Sequence, residues 1–331
     1  MERILTGDRP TGPLHLGHYV GSLRNRVKLQ DSLDTFIIIA DVQALTTHWE
    51  TPGLLKVHAR EVALDNISAG LDPDRTSIFI QSMVPAIAEL TVLFGLFVTV
   101  SRLRHNPTIK TEARQYGYTD MTYGFLGYPV SQAADILFCR ANLVPVGEDQ
   151  LPHVEVTRFV ARRFNELYGE VFPEPRALVS DIPRLVGLDG GAKMSKSLGN
   201  AIYLKDSPEE VRVKVMSAVT DPARIRKDDP GHPEVCTVFA WHKAFNAIEV
   251  PEIESSCRAG TIGCVACKKN LIRILNELLD PVRERRARYD RPGVVEEIVA
   301  RGTESARREG ALTMELVRQA MKIDYEGMGA Q

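Results

Sequence analysis

Four short apolar runs stand out along the chain, at residues 4–6, 35–40, 77–81 and 144–146. Each is bounded by turn residues and reads as a buried strand. Between them lie stretches with helical spacing of apolar positions: residues 14–33, 51–69 (Thr51 as cap, Pro52 in the first turn, Gly70 as stop), 85–100, a helix opening after Pro129, and a helix ending near Tyr168. Strands alternating with helices predict an α/β fold with a doubly wound parallel sheet. Residues 102–122 are polar and irregular and are expected to form a surface loop. Past residue 205 the pattern becomes helical, opening with the capping box Ser207-Pro208-Glu209-Glu210. Helices are expected at residues 211–219, 238–247, 268–279, 281–289, 294–301 and 305–321. The expected division is 1–205, a helical unit 206–303, and a C-terminal helix 304–331 packing back on the first unit.

Composition changes this picture little. The 331 residues are 44% hydrophobic and 25% charged with net charge −2, as in ordinary globular chains. No basic excess points to nucleic acid, so any RNA contact has to come from a local patch. The apolar stretch 90–100 is too short to span a bilayer, and no membrane association is expected. The N-terminus lacks a charged-then-apolar leader, and with five cysteines this predicts a reducing cytoplasm with thiols free or metal-bound.

Three stretches carry chemistry. A turn rich in Gly and Pro (residues 7–13) follows the first strand and leads into His15-Leu16-Gly17-His18, a geometry that aims amides and a helix N-terminus at a phosphate. By themselves the histidines fit this phosphate-facing role and the alternative, a metal pair or surface histidines, about equally. A glycine-flanked segment, Lys193-Met194-Ser195-Lys196-Ser197, reads as an exposed, mobile loop able to follow phosphate charge, or as a solvated basic loop. Asp135 lies on an apolar helix and is either paired with Arg140 or a backbone amide, or turned toward a ligand.

Four cysteines, Cys236, Cys257, Cys264 and Cys267, are spaced C-x20-C-x6-C-x2-C, while Cys139 lies apart in an apolar helix and reads as core. On spacing alone the four suggest tetrahedral Zn2+; a [4Fe-4S] cluster takes the same ligands. A basic run follows from Lys268 to Arg288. It is either a solvated face or a track for an RNA backbone, with Lys268, Lys269 and Arg273 nearest the cysteines.

The pair His15-Leu16-Gly17-His18 and Lys193-Met194-Ser195-Lys196-Ser197 resembles the two signatures of class I aminoacyl-tRNA synthetases. Tyr128-Pro129, Ala133-Ala134-Asp135-Ile136, Val146-Gly147-Glu148-Asp149-Gln150 and Thr220-Asp221-Pro222 resemble the tryptophanyl-tRNA synthetases in particular, over residues 3–325. The resemblance implies a Rossmann-like catalytic unit and a helical anticodon-binding unit. It also implies adenylation of L-tryptophan by ATP with Mg2+, transfer to tRNA(Trp), a homodimer and a cytoplasmic location. Asp135 would accept the indole N–H, with Tyr128, Gln132 and Gln150 around the ring edge and α-amino group and Gln43, Leu5 and Gly7 completing the pocket. For ATP it implies Gly147, Glu148 and Asp149 near the ribose, Gly17 and His18 at adenine and phosphates, and His15 at the phosphates. Arg9, Pro10 and Thr11 belong to the first ATP-facing loop, and Leu185 and Met194 flank adenine. Lys110, Lys193 and Lys196, with Ser195 and Ser197, would hold the departing pyrophosphate. A subset of these enzymes carries a [4Fe-4S] cluster on a similar cysteine pattern, which favours the cluster over zinc here. Arg9, Gln43 and Gln132 depart from the residues common in bacterial relatives. Gln132 also fits a tyrosyl enzyme, leaving tyrosine as the rival substrate and a tryptophan-sensing paralogue as the non-enzymatic alternative.

Overall fold

The computed structural model describes residues 2–179, 185–191, 193–196 and 198–325. The expectations for Ser197 and for the side chain of Asp149 fall outside what is described. Five strands, β1 (Arg3–Asp8), β2 (Asp34–Ile39), β3 (Thr76–Ile80), β4 (Leu143–Val146) and β5 (Arg176–Val179), form one sheet in the order β3-β2-β1-β4-β5. Every pairing is parallel, as the alternation of strands and helices predicts. The chain winds outward from β1 to β3, then returns to place β4 on the other side of β1. That reversal opens a crevice at the carboxyl ends of β1 and β4, where such sheets bind ligands.

Helical segments follow in order. The first is α1 (Leu16–His18), a π turn (Tyr19–Leu23) and α2 (Arg24–Leu29). Then come α3 (Asp41–His48), α4 (Leu55–Ser68), α5 (Pro85–Gly95), α6 (Val100–His105), α7 (Pro107–Gln115), α8 (Tyr123–Leu137) and α9 (Leu151–Tyr168). Beyond β5 lie α10 (Pro208–Ser217), α11 (Thr237–Phe245), α12 (Val250–Arg258), α13 (Cys264–Tyr289) and α14 (Val294–Met321). Because strand side chains alternate between faces, Phe36 and Ile38 pack into one core with Phe79, Phe138 and α14's Met314 and Val317. Ile37 and Ile39 pack into the other with Leu16, Val62 and α13's Leu271 and Leu275. Both cores end at the crevice, which they hold rigid.

Several expectations are corrected. Residues 102–122 are not an irregular loop. Thr99 caps α6 by accepting from the Arg102 amide, and Asn106 caps α7 by accepting from Thr108 and Ile109. Only Leu103, Ile109 and Ala113 are buried along these two helices, too few apolar positions to announce a period. Helix α8 begins at Tyr123, under a Thr122 cap, rather than after Pro129. Pro129 is tolerated inside it, as Pro281 is inside α13, which was expected as two helices. Gly302 does not interrupt α14: a Cβ there would lie 2.1 Å from the Ile78 carbonyl oxygen, so the glycine is the notch through which the helix meets β3. Strand β5 and helices α3 and α12 were not anticipated.

The basic run on α13 is largely structural. Arg286 pairs with Asp65 at 2.7 Å and Glu61 at 2.9 Å, Arg285 donates to the Ser68 carbonyl, and Arg283 to the Asp206 carbonyl. Lys268 donates to the Met216 carbonyl, and Arg273 is paired with Glu249 and Glu277. Of the three cations expected nearest an RNA backbone, Lys269 is the one left exposed without such a bond described.

Candidate active site

A cavity of about 360 Å3 fills the crevice. Its walls bring together residues far apart in sequence: Leu5, Gly7 and Arg9 from β1 and the turn after it, His18 from α1, Gln43 from α3, Tyr128, Gln132 and Asp135 from α8, Gly147 and Gln150 after β4, and Lys196. Thr11 lines it as well.

At one end lies Asp135, 3% exposed. Its Oδ1 accepts from Gln81 Nε2 at 2.7 Å and its Oδ2 from Gln43 Nε2 at 3.3 Å. The expected alternatives, Arg140 or a backbone amide, are not its partners. Burial drives this carboxyl up to about 7 and the two neutral amides only partly oppose it. The result is an acceptor held in place by neutral donors, with no cation to saturate it. Gln81, at the end of β3, is the positioning residue that sequence reasoning passed over; a strand-terminal Gln facing the same crevice as Asp41 and Gln43 was the available signal. Beside it the Tyr128 hydroxyl stands 2.7 Å from His153 Nε2, and burial and the nearby Glu112 carboxylate raise its pKa.

The other end is built from the first turn of the helical segment. His15 Nδ1 accepts from the Gly17 amide at 3.1 Å, and His18 Nδ1 accepts from the His15 amide at 3.2 Å. Burial lowers the two imidazoles, to about 2 for His15 and about 4 for His18, so both are neutral near pH 7. A neutral ring whose Nδ1 accepts carries its proton on Nε2. Each histidine therefore presents an N–H donor, which suits a phosphate oxygen, and neither is arranged as a metal ligand pair. Gly17 is required because the His15 ring lies against it: a Cβ would come within 2.9 Å of Nδ1 and Cε1.

Behind this turn Arg26, 1% exposed, donates to Asp8 at 2.6 Å, to Asn66 at 2.9 Å and to the Gly7 carbonyl at 3.1 Å. Burial by itself would raise Asp8, but Arg26 overrides it and holds the carboxyl at about 2. This network ties β1 to α2 and α4.

The lysine segment was expected to be exposed and mobile; the structure anchors it. Val186 and Lys193 form an antiparallel bridge, and the Met194 amide donates to the Leu185 carbonyl at 3.0 Å. Met194 is 2% and Leu185 5% exposed, inside the second core. Asn200 accepts from the Ser195 amide and donates to Asp189. Lys196 Nζ donates to the Gly12 carbonyl at 2.6 Å, and burial lowers its ammonium to about 8. His15, Gly17, Leu185, Lys193, Met194, Ser195, Pro10 and Glu148 do not line the cavity; Gly17 and Met194 lie close to one another beside it, 3.6 Å separating the Met194 Cβ from a Cβ built on Gly17. Lys110 is exposed on α7, whose Glu112 faces the cavity in its place.

The profile of tRNA synthetases class I (W and Y) matches residues 1–280. The chain is 50% identical to a tryptophan–tRNA ligase of Treponema pallidum (strain Nichols), covering 98% of this chain and 97% of that one. It is 47% identical to a tryptophan–tRNA ligase of Thermotoga maritima, covering 98% and 100%. The chain belongs to the class I tryptophanyl-tRNA synthetases. Its fold matches the tryptophanyl-tRNA synthetase of Campylobacter jejuni, solved with ADP and tryptophan, at a TM-score of 0.84 and 31% identity over 97% and 99% of the two chains. It is an aminoacyl-tRNA synthetase and a tryptophan–tRNA ligase, which removes tyrosine as the rival substrate and the sensor as the alternative to an enzyme.

In this synthetase Cys236 sits at the start of α11, Cys257 near the end of α12, and Cys264 and Cys267 in the first turn of α13. Arg224 Nη1 lies 3.9 Å from Cys257 Sγ and 3.8 Å from Cys264 Sγ, while its Nη2 donates to the Lys227 and Ile262 carbonyls. Burial, then repulsion from the other three thiolates, pushes Cys267 up to about 12. Among the described residues, no three His, Cys, Asp or Glu side chains are gathered to hold a metal ion. The structure therefore supports neither the [4Fe-4S] cluster nor the zinc ion expected on these four cysteines.

Proposed function

We propose that the cavity activates L-tryptophan with the indole N–H on Asp135 and the triphosphate of ATP at the histidine–lysine end. The observation that carries this reading is the buried Asp135 carboxylate, fixed by Gln81 and Gln43 and turned into the cavity without a cation. An indole N–H only donates, so it needs an acceptor of this kind. With the ring there, the tryptophan carboxylate attacks the α-phosphorus, giving tryptophanyl-adenylate and pyrophosphate. The adenylate then esterifies the 3′ end of tRNA(Trp). No side chain acts as nucleophile; His15 and His18 supply Nε2–H donors, and Lys196 and Lys193 supply charge as the pyrophosphate departs. Mg2+ neutralises phosphate charge when bound. Asp8 is bound by Arg26 and Asn66, so the ion would arrive on the triphosphate itself.

Cys236, Cys257, Cys264 and Cys267 would hold a [4Fe-4S] cluster as a structural crosslink between the starts of α11 and α13 and the end of α12. The Arg224 guanidinium beside Cys257 and Cys264 suits an anionic cluster. The division into 1–205, 206–303 and 304–331, the binding of tRNA near Lys269, and the cytoplasmic location belong to the same reading. A homodimer would cover exposed apolar side chains such as Val92, Leu96, Val100 and Tyr123.

The test is pyrophosphate–ATP exchange on anaerobically purified protein, with iron and acid-labile sulfide assayed on the same preparation. Exchange with tryptophan and not tyrosine, and iron matching sulfide, are expected. Exchange with tyrosine would sink the pocket reading, and iron-free protein of full stability and charging activity would sink the cluster.

A further inference from the structure

Glu112 is the cavity residue that neither the sequence pattern nor the two ends just described account for. Ile109 and Ala113 bury one face of α7, and Glu112, adjacent to that face, is carried into the cavity wall while Lys110 is carried out. One carboxylate oxygen, Oε1, lies 3.7 Å from Arg9 Nη2. The Tyr128 hydroxyl, beside the carboxylate, stands 2.7 Å from His153 Nε2. The other oxygen, Oε2, is buried and no protein group donates to it. Leaving a buried carboxylate oxygen without a donor is costly.

The other described carboxylates in the wall have their partners. Asp8 is bound by Arg26 and Asn66, and Asp135 by Gln81 and Gln43. An amino acid brings one cation with it, the α-ammonium, and among the described carboxylates of the wall Glu112 has an oxygen open to receive it.

We propose that Glu112 accepts the α-ammonium of the amino-acid substrate, exchanging its loose contact with Arg9 for a short charged hydrogen bond. This rests on the reading of the cavity as the tryptophan site.

The experiment compares tryptophan, tryptamine (ammonium without carboxylate) and indole-3-propionate (carboxylate without ammonium), by calorimetry, on the wild type, Glu112→Gln, Glu112→Asp and Asp135→Asn. In Glu112→Gln, tryptophan and tryptamine should weaken by roughly ten- to a hundred-fold, the scale of a charged hydrogen bond, while indole-3-propionate keeps its wild-type affinity. Glu112→Asp, which keeps the charge, should recover part of the tryptamine affinity. Unchanged tryptamine binding in Glu112→Gln overturns the proposal, and so does an equal weakening of all three ligands, which would mark a structural role. Asp135→Asn separates the two levels. If it weakens all three ligands, the site stands and only the role of Glu112 is in question; if it weakens none, the reading of the cavity itself fails.

Discussion

Asp8 and Asp135 are both buried carboxylates in the wall of one cavity, yet their environments push them in opposite directions. Arg26 holds Asp8 at about 2, while two neutral amides leave Asp135 at about 7. The difference is the formal charge of the partner. Asp8 has a folded value below its unfolded one, so it contributes about 2 kcal/mol above pH 4, lost as pH falls toward 2. Asp135 has a folded value above its unfolded one; between pH 4 and 7 the native state keeps a proton that the unfolded chain has released. Its ionisation therefore destabilises the fold, increasingly as pH rises through that window and by roughly 4 kcal/mol above it. One carboxylate is structural cement. The other is kept at the expense of stability because a saturated acceptor could not take a substrate N–H.

The largest effect expected from this contrast is at Arg26. Replacing Arg26 with Met strands Asp8 and should lower unfolding free energy by about 3–5 kcal/mol in urea titrations. A loss under 1 kcal/mol would show that Asp8 does not depend on its cation. Asp135→Asn should do the reverse at pH 8, raising stability by on the order of 1–3 kcal/mol while kcat/KM for tryptophan falls roughly a hundred-fold. Gln81, Gln43 and the indole are three donors, and an Asn side chain has a single acceptor oxygen to offer them. The smallest effect is in the pH profiles. For free enzyme, kcat/KM for tryptophan should fall below about pH 7 as Asp135 protonates. That for ATP should fall above about pH 8 as Lys196 loses its proton. Coincident profiles for the two substrates would contradict the assignment of the two ends.

Much of this was readable in the chain before any coordinates. Apolar runs between amphipathic stretches predict a doubly wound parallel sheet; the structure adds the reversal at β1 and β4, and residues beside those strand ends line the cavity. What was hidden depends on partners distant in sequence. Whether Asp135 faced an arginine or two amides could not be read locally, because Gln81 comes from another strand. The same holds for Arg26, which reads as an ordinary helix-surface arginine until Asp8 and Asn66 close around it. Residues 102–122 read as loop in the sequence because the helices there are held by caps and three buried side chains rather than by an apolar stripe. The basic stretch of α13 reads in sequence as a solvated face or an RNA track, while the partners that Arg283, Arg285 and Arg286 find in Asp65, Glu61 and backbone carbonyls are distant in the chain.

The central claim is that Asp135 receives the indole N–H. It is tested most directly by measuring kcat/KM in pyrophosphate exchange for tryptophan and for the analogue in which sulfur replaces the ring N–H. The wild type should prefer tryptophan by at least roughly a hundred-fold, since a buried acceptor left unpaired is strongly disfavoured. In Asp135→Asn that preference should shrink toward unity. Equal use of the two substrates by the wild type, or a preference untouched by Asp135→Asn, would contradict it.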